Sequence, residues 1–595
     1  MVFLLLNTGQ LASCQGSLIM KSMVYGLIMD VSVTSYFLAL VIFIFFLTLP
    51  FKPEIYFKTV RVVLYILIVI TCLLTVCDSA LQHYWNTRIN EKALSVLLYP
   101  RMAFDAARST DYLLLTAVMG LMTGLFMVLC RYLVFGKQQI SSRTGKGPVA
   151  LVSLFLIPLL VIGARGGVQK YPLGKATVFF SDNFTCNYAA LNPFWNFADI
   201  LLVAHDGSGN RYQYFPREVV NREFDKLFQK KETGEVNHIF SVEKPNIVLI
   251  LLESFSGENL PKLNGIPVAM KLNALLDSSL WFSNFYSNGF RSEHALIALL
   301  SGTPPLPGGS LLRESNRIVR LPLLGKQLKD SLGYSLQVYN TYDITYARMN
   351  EYLSFSGFEK IVTDKEFMNC RRHEWGAYDE TLFDYVLQDL GTNKPPFFSL
   401  VLTSVSHEPF KAEVRRVFPG NNEQSRYKNT VCYTDSCLGD FLDSARLKPW
   451  YRNTVFIIMA DHGHAYPMNR NYADPRKFNI PFLIFGEPLK KELAGKSISY
   501  PASQIDLPAT ILHQLGMSSL SFPLSRDLMK EDQPHFAFFT FSDGFGYVSE
   551  KSTYSFNKDL NRLMFVSKRD ENDSLDILHG KIILQWLSHE YRNLN

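Results

Sequence analysis

"PNIVLILLESFSG", residues 245–257, sets an apolar run, Ile247 to Leu252, directly against a carboxylate, Glu253. The run does not alternate polar with apolar, as a strand with one wet face would. Its continuous apolar character suits a parallel strand covered on both faces. Four more runs read the same way: "YSLQVYN" (334–340), "FFSLVLTSV" (397–405), "NTVFIIMA" (453–460) and "PFLIFG" (481–486). Helical stretches lie between them, "HALIALLS" (294–301), "LPLLGKQLKDS" (321–331), "DETLFDYVLQDL" (379–390) and "VCYTDSCLGDFLDSA" (431–445). Short apolar strands alternating with helices predict an α/β layered domain with a mainly parallel sheet.

In such sheets ligands bind beyond the carboxyl ends of the strands. Three of the runs end on groups capable of chemistry. "NIVLILL" leads into Glu253, "FFSLVLTSVS" into His407, and "NTVFIIMA" into Asp461, His462 and His464. Two carboxylates and an imidazole make a hard, oxygen-rich site that suits Mn²⁺, Mg²⁺ or Zn²⁺, and not copper or iron–sulfur chemistry. Asp461 and His462 are neighbours and would face opposite ways within a strand. Just past a strand end, Gly463 permits a turn that brings both to one ion.

"NGFRSEHALIALLSG" (288–302) places Ser292 where a helix would begin. Ser292 is either an ordinary N-cap or a nucleophile in the positive field of the helix start, and the two roles are compatible. With a divalent ion on Glu253, Asp461 and His462, Ser292 would complete the ligand set and become an activated nucleophile. The helix start would aim N–H groups at a phosphate. His294 and His464 are rival ligands: His294 lies inside the helix and suits packing, whereas His464 suits a supporting position. Arg291, and Arg348 in "TYARMNEYL" (345–353), either meet phosphate oxygens or form surface ion pairs.

Upstream the chain changes character. Its 595 residues exceed one core, and the 48% apolar content is concentrated in the first 170 residues. Four stretches approach or reach spanning length, Ser32 to Leu49, Val62 to Ala80, Tyr112 to Leu133 and Pro148 to Ala164. A fifth, Val2 to Leu6, is too short to span alone, and the absence of a basic flank argues against a cleaved signal peptide. The 131–147 connection carries Arg131, Lys137, Arg143 and Lys146 without an acid; the 50–61 connection carries Lys52, Lys58 and Arg61. Both are expected on the cytoplasmic side, which puts the 81–111 connection and everything after Ala164 outside. The expected organisation is a transmembrane domain (1–166), a juxtamembrane linker with an amphipathic helix at 217–231 (167–243) and a catalytic domain (244–595). A net charge of +6, small for this length, with no basic stripe or zinc-finger spacing, argues weakly against a nucleic-acid binder. Among eight cysteines no CxxC occurs, and Cys432 and Cys437 are five apart, a spacing open to pairing in an oxidising compartment.

These segments together resemble the lipoteichoic acid synthase-like (phosphoglycerol transferase) branch of the sulfatase/alkaline phosphatase superfamily, over nearly the whole chain. "PNIVLILLESFSG" resembles the segment with the family's metal-binding glutamate, here Glu253. "FYSNGFRSEHALIALLSGTPPLPG" resembles its nucleophile loop, "SVSHEPF" the segment with its substrate-side histidine, here His407, and "VFIIMADHGH" its Asp-His metal pair, here Asp461 and His462. "YARMNEYL" matches more loosely a segment with a substrate-contacting arginine, here Arg348, and "SQIDLPATILHQLG" a late segment in which Asp506 is structural. The family nucleophile is normally threonine, where this chain has Ser292, and relatives usually carry five spans. "RSEHALI" lacks the Pro and Arg of the formylglycine motif of true sulfatases, so Ser292 is expected to stay serine. It also differs from the loop of lipid A phosphoethanolamine transferases, and no G-x-S-x-G elbow surrounds it.

The resemblance implies a multi-pass protein of a bacterial cell membrane with an extracytoplasmic catalytic domain. It implies one divalent metal, Mn²⁺ ahead of Mg²⁺ or Zn²⁺, on Glu253, Ser292, Asp461 and His462. The expected reaction moves a phosphoglycerol- or phosphoethanolamine-type head group from a membrane phospholipid to an envelope glycan or lipid through a phospho-seryl intermediate, with His407 and Arg348 binding substrate. The rivals are a phosphate or sulfate ester hydrolase and a non-catalytic, lipid-binding envelope regulator.

Overall fold

The computed structural model describes residues 2–7, 16–85, 88–89, 109–136, 146–168, 173–174, 178, 184–205, 212–228, 237–313, 318, 320–344, 346–567 and 573–593. The chain forms two compact units, 1–209 and 210–595. The stretch read as a linker, 167–243, is thereby shared. Helices at Phe184–Ala190 and Pro193–His205 lie in the first unit, and Arg217–Phe228 lies in the second. Lys137 and Arg143, which entered the orientation argument, lie outside the described residues, as does most of the 81–111 connection.

The first unit holds α1 (Gly16–Thr48), α2 (Pro53–Trp85), α3 (Ser109–Leu133) and α4 (Lys146–Arg165). Each contains a window of mean hydropathy 2.3 to 2.6, and each is long and apolar enough to cross a membrane. Hydropathy alone started the first of them at Ser32. The helix begins at Gly16 instead, since backbone hydrogen bonding continues through Lys21 and Asp30, which apolarity does not register. Leu113, Leu121 and Phe155 stand outward, which suits a lipid surround and not water. At the end of α2, buried Asp78 pairs with buried Arg88. Arg88 also donates to the Leu191 carbonyl at 2.7 Å, and the Ile89 N–H donates to Asp78 at 2.7 Å. A buried charge is retained at such a place only when paired.

The second unit is built on an eight-stranded sheet: β1 (Asn246–Leu252), β2 (Leu280–Phe282), β3 (Ser335–Tyr339), β4 (Lys360–Val362), β5 (Phe397–Leu402), β6 (Thr454–Ala460), β7 (Phe482–Phe485) and β8 (Ser497–Ile498). The order is β4-β3-β5-β1-β6-β7-β2-β8; β7 runs antiparallel to both neighbours and every other pairing is parallel. The five apolar runs of the sequence supply β1, β3, β5, β6 and β7. The three added strands have two or three residues each, too few for a periodic signal. Every residue of β1, β5 and β6 is buried, the physical reason those runs are continuously apolar.

Four helices of this unit matter for the site: α5 (Arg217–Phe228), α6 (Ser292–Ser301), α7 (Asp379–Asp389) and α8 (Glu423–Ala445). The amphipathic helix expected near 217 is α5. It buries Val220, Phe224, Leu227 and Phe228, a helical stripe at i, i+4, i+7 and i+8. Phe224 stacks on Trp586 of α9 (Asp573–Asn593), with centroids 3.9 Å apart. Helix α8 starts eight residues before the apolar pattern does, because the Asn422 side chain caps it by accepting from the Ser425 N–H. Cys432 and Cys437 both lie on α8 as free thiols. Five residues on one helix put them about 140° apart around the axis, so they do not pair. A four-stranded antiparallel sheet, β9 (Phe536–Phe541), β10 (Gly544–Ser549), β11 (Thr553–Asn557) and β12 (Arg562–Val566), adds an element that no sequence pattern above had indicated.

Candidate active site

The site follows from strand order. β5, β1 and β6 are adjacent and parallel, with Leu251 opposite Leu402 and Leu252 opposite Ala460. Glu253 and Asp461, each one step past its strand, therefore emerge level with one another at one edge, with Thr403 level with Leu252 just behind them. Local hydrogen bonds hold that edge in place. The Glu253 N–H donates to Thr403 Oγ1 at 3.0 Å, and Ser406 Oγ donates to the Glu253 carbonyl at 2.7 Å.

Glu253 and Asp461 are both buried. Ser254 ties them together: its N–H donates to Asp461 Oδ1 at 2.8 Å and its hydroxyl to Glu253 Oε1 at 2.7 Å. Ser254 does this from a left-handed backbone (φ 53°), a conformation uncommon for a residue other than glycine. The His462 N–H also donates to Asp461 Oδ1, at 2.6 Å. His462 Nδ1 lies 3.0 Å from the Gly463 carbonyl. A carbonyl only accepts, so Nδ1 carries the hydrogen and Nε2 keeps its lone pair. That lone pair lies 3.5 Å from Asp461 Oδ2 and 3.8 Å from Glu253 Oε1. Three electron-rich groups thus converge, with ligand atoms within 4.8 Å of one another. Burial, and then the neighbouring Asp461 charge, hold the Glu253 carboxyl well above its ordinary range. Such a cluster is electrostatically costly without a cation at its centre, and its donor set fits a divalent ion.

Ser292 joins this cluster. Its Oγ lies 2.7 Å from Asp461 Oδ2 and 3.3 Å from Glu253 Oε2, and its single hydrogen goes to the nearer oxygen. Ser292 is the first residue of α6 itself; Arg291 occupies the cap position with no side-chain cap bond. The hydroxyl is therefore committed to the carboxylates rather than to capping the helix. Arg291 pairs with buried Glu293 at 2.9 Å. His294 is buried inside α6, edge-on to Phe290 at 5.3 Å. Gly289 is needed for this packing, since a Cβ there would lie 2.5 Å from His294 Nδ1.

His407 lies beside the cluster. Its Nδ1 donates to the Glu408 carbonyl at 2.7 Å, so Nε2 is the free-facing nitrogen. Burial lowers its pKa. The Trp375 ring lies against it, with centroids 3.9 Å apart. Arg348 is placed differently. It sits on a left-handed turn (φ 59°), half-exposed, with Glu351 3.9 Å away. His464 is engaged with Glu408 and Tyr466 and is not one of the converging ligands.

Several supporting residues carry no pattern that a reading of the chain detects. Gln504 donates to the carbonyls of Ala460 and Asp461 and accepts from the Asn288 N–H, joining the end of β6 to the nucleophile loop. Asp379 of α7 accepts from the N–H groups of Ser404 and Val405 and from the Thr434 hydroxyl, bracing the segment that leads to His407. Tyr342 is a further phenol at the site, its pKa raised by burial and by Glu253, Asp461 and Glu293. Asp506, expected to be structural, is buried in a pair with Arg526 at 2.8 Å.

Known proteins are similar to this chain in sequence and fold. The sulfatase family matches residues 245–517. A lipoteichoic acid synthase of Staphylococcus saprophyticus is 25% identical over 399 residues, covering 60% of each chain. Lipoteichoic acid synthase 1 of Bacillus subtilis is 25% identical over 325 residues, covering 49% of each. The matched part thus spans about half to three-fifths of those relatives. Two crystal structures share the fold. One is a protein of the alkaline phosphatase superfamily from Vibrio parahaemolyticus (24% identity, TM-score 0.56, covering 64% of this chain and 98% of that one). The other is the lipoteichoic acid synthase LtaP from Listeria monocytogenes (18%, TM-score 0.53, covering 63% and 98%). Residues 245–517 are a sulfatase-family domain, and the chain around it is similar to lipoteichoic acid synthases and carries four helices long and apolar enough to cross a membrane.

Proposed function

We propose that the protein is a membrane-anchored, metal-dependent phosphotransferase. It moves a phosphoglycerol- or phosphoethanolamine-type head group from a membrane phospholipid to an envelope glycan or lipid. The observation that carries this reading is the approach of the Ser292 hydroxyl to the same two buried carboxylates that face the His462 Nε2 lone pair. Glu253, Asp461, His462 and the Ser292 oxygen would hold one divalent ion, Mn²⁺ first and Mg²⁺ or Zn²⁺ as alternatives. When bound, that ion lowers the pKa of a coordinated hydroxyl and offsets phosphate charge.

In the first half-reaction Ser292 Oγ forms a bond to the head-group phosphorus and the bond to the diacylglycerol oxygen breaks. His407 meets the substrate through Nε2, because Nδ1 is held by the Glu408 carbonyl; there it takes the Ser292 hydroxyl hydrogen and passes it to the leaving diacylglycerol oxygen, ending the step as it began. The start of α6 presents backbone N–H groups to the same phosphate. Arg348, on its exposed turn, is assigned the outer part of the head group. In the second half-reaction an acceptor hydroxyl takes the phosphoryl group from Ser292. The apolar helices of the first unit support an enzyme held in the membrane that supplies its donor, and the Lys and Arg distribution supports a catalytic unit outside the cytoplasm.

The test uses purified protein with Mn²⁺ and phosphatidylglycerol or phosphatidylethanolamine carrying a labelled head group. The expected result is diacylglycerol release that is lost in Ser292→Ala, with label recovered on an added glycan or glycolipid. Release unchanged in Ser292→Ala overturns the mechanism. Label found only in water-soluble product makes the protein a hydrolase.

A further inference from the structure

The transfer reading leaves one task unassigned: something must take the proton from the acceptor hydroxyl when the phosphoryl group leaves Ser292. Glu408 stands next to His407 in the chain, and its side chain is half-exposed. A glutamate in that position would ordinarily be mobile, because ordering a long side chain costs conformational entropy. Here it is held from the protein side by a buried histidine. The Tyr466 N–H donates to His464 Nδ1 at 3.0 Å, so Nε2 carries the ring hydrogen and donates it to Glu408 Oε1 at 2.8 Å. The His464 ring is itself fixed, stacked on Tyr427 at 5.0 Å and edge-on to Phe410 at 5.3 Å. The Glu408 backbone is pinned as well. Its carbonyl accepts from Trp375 Nε1 and His407 Nδ1, both at 2.7 Å. The Tyr427 phenol on which His464 stacks donates to the Ser254 carbonyl at 3.0 Å, and Ser254 bonds both carboxylates of the proposed metal cluster, so the His464–Glu408 pair lies close to it. A carboxylate whose direction is fixed by an imidazole N–H is suited to take a hydrogen from a hydroxyl brought to it.

We infer that Glu408 is the general base of the second half-reaction, positioned by His464, and that it receives the acceptor's hydroxyl hydrogen. This rests on the transfer reading above. In the step, the acceptor oxygen forms a bond to phosphorus while the Ser292 Oγ–P bond breaks. The acceptor's proton passes to the Glu408 carboxylate. The electron pair of the broken bond returns to Ser292 Oγ, which recovers a proton as Glu408 gives its own up, so both residues end the cycle as they began it. Glu408 is a catalytic residue in this scheme and His464 a positioning residue.

The two half-reactions can be timed separately with bis(p-nitrophenyl) phosphate, a chromogenic phosphodiester, using the full chain with Mn²⁺ and glycerol as the acceptor probe. The pre-steady-state burst of nitrophenol reports bond formation at Ser292, and steady-state turnover reports its release. Glu408→Gln is expected to keep the burst and to slow turnover by between ~10²- and ~10⁴-fold, the usual share of general base catalysis, with phosphorylated protein accumulating. Glu408→Asp should recover part of the turnover. His464→Phe should slow turnover in the same direction by a smaller factor while leaving the burst in place. Burst and turnover falling together in Glu408→Gln, or turnover unchanged, overturns the assignment. A thermal midpoint close to that of the wild type separates this effect from misfolding. Lipid donors run in parallel distinguish the two readings: no diacylglycerol release beside a normal burst on the chromogenic ester sinks the donor reading and leaves Glu408 to be judged on the burst alone. A wild-type protein inert towards both sinks both.

Discussion

Glu253 shows how little a residue's identity says without its neighbours. A carboxylate after a strand is ordinary; two buried ones facing an imidazole lone pair are not. The repulsion between them makes a sharp prediction. With metal chelated, Glu253→Gln should be as stable as the wild type or more so, since burial and Asp461 already favour the uncharged form of this side chain. Added Mn²⁺ should raise the melting temperature of the wild type, because an ion that binds only the folded state stabilises it by about 2.7 kcal/mol at a hundredfold excess over Kd. The variant should show little of that rise. Equal metal-induced shifts in both, followed by differential scanning fluorimetry, would exclude Glu253 as a ligand. A second residue-scale prediction concerns Asp543, partly buried at the turn between β9 and β10. Burial, and then Asp559, push its carboxyl up to about 6. The folded protein therefore holds this proton where the unfolded chain, with a carboxyl near 3.9, has lost it. The associated stability is full below about pH 4 and is lost as pH rises through about 6. Asp543→Asn should consequently gain on the wild type as pH goes from 5 to 7.5. A melting-temperature difference that stays flat over that window would contradict the linkage.

At the scale of elements, the turn after β6 decides the geometry. Gly463 seemed useful for its backbone freedom, but it is absent from the left-handed positions, and the constraint is one of space: a Cβ would lie 1.9 Å from the Lys477 carbonyl oxygen. Gly463→Ala must therefore move the Asp461–His462 turn or the segment at 477. A displacement near 1 Å in a positioned site costs about 10²-fold, so activity should fall by at least that factor and the Mn²⁺-induced stabilisation should shrink with it. Near-normal activity in this variant would show that the turn can yield without disturbing the ligands. The strained backbone at Ser254 belongs to the same scale. A residue at φ 53° that bonds both carboxylates is the point at which β1 stops being a strand and becomes a site.

For the whole molecule the open question is sidedness. The basic connections argue that the second unit lies outside the cytoplasm, and an exposed free thiol in that unit, Cys370, offers a direct measurement. A membrane-impermeant maleimide added to intact spheroplasts should label the wild type, and the signal should drop in Cys370→Ser. Labelling that appears only after lysis would place the catalytic unit inside and would overturn the orientation. The outward apolar faces of α3 and α4 fit a first unit surrounded by lipid under either outcome.

What the chain determined by itself was whatever local pattern encodes. Continuous apolar runs mark strands buried on both faces, so β1, β3, β5, β6 and β7 were legible, as were the spans and the residues that end each central strand. Glu253, Ser292, Asp461 and His462 were found because each follows or opens a recognisable element. The tertiary structure decided the rest. Strands of two or three residues and the sheet from 536 to 566 carry too little periodicity to be read, and helix α1 runs past the apolar stretch that announced it. Arg291 pairs with Glu293, its neighbour two residues on. Which imidazole nitrogen keeps a lone pair was settled by the carbonyl of Gly463 at His462 and by the N–H of Tyr466 at His464. Glu408, Ser254 and Gln504 acquire their positions only when segments up to some two hundred residues apart meet. Such contacts depend on register and distance in three dimensions, and a one-dimensional pattern carries neither.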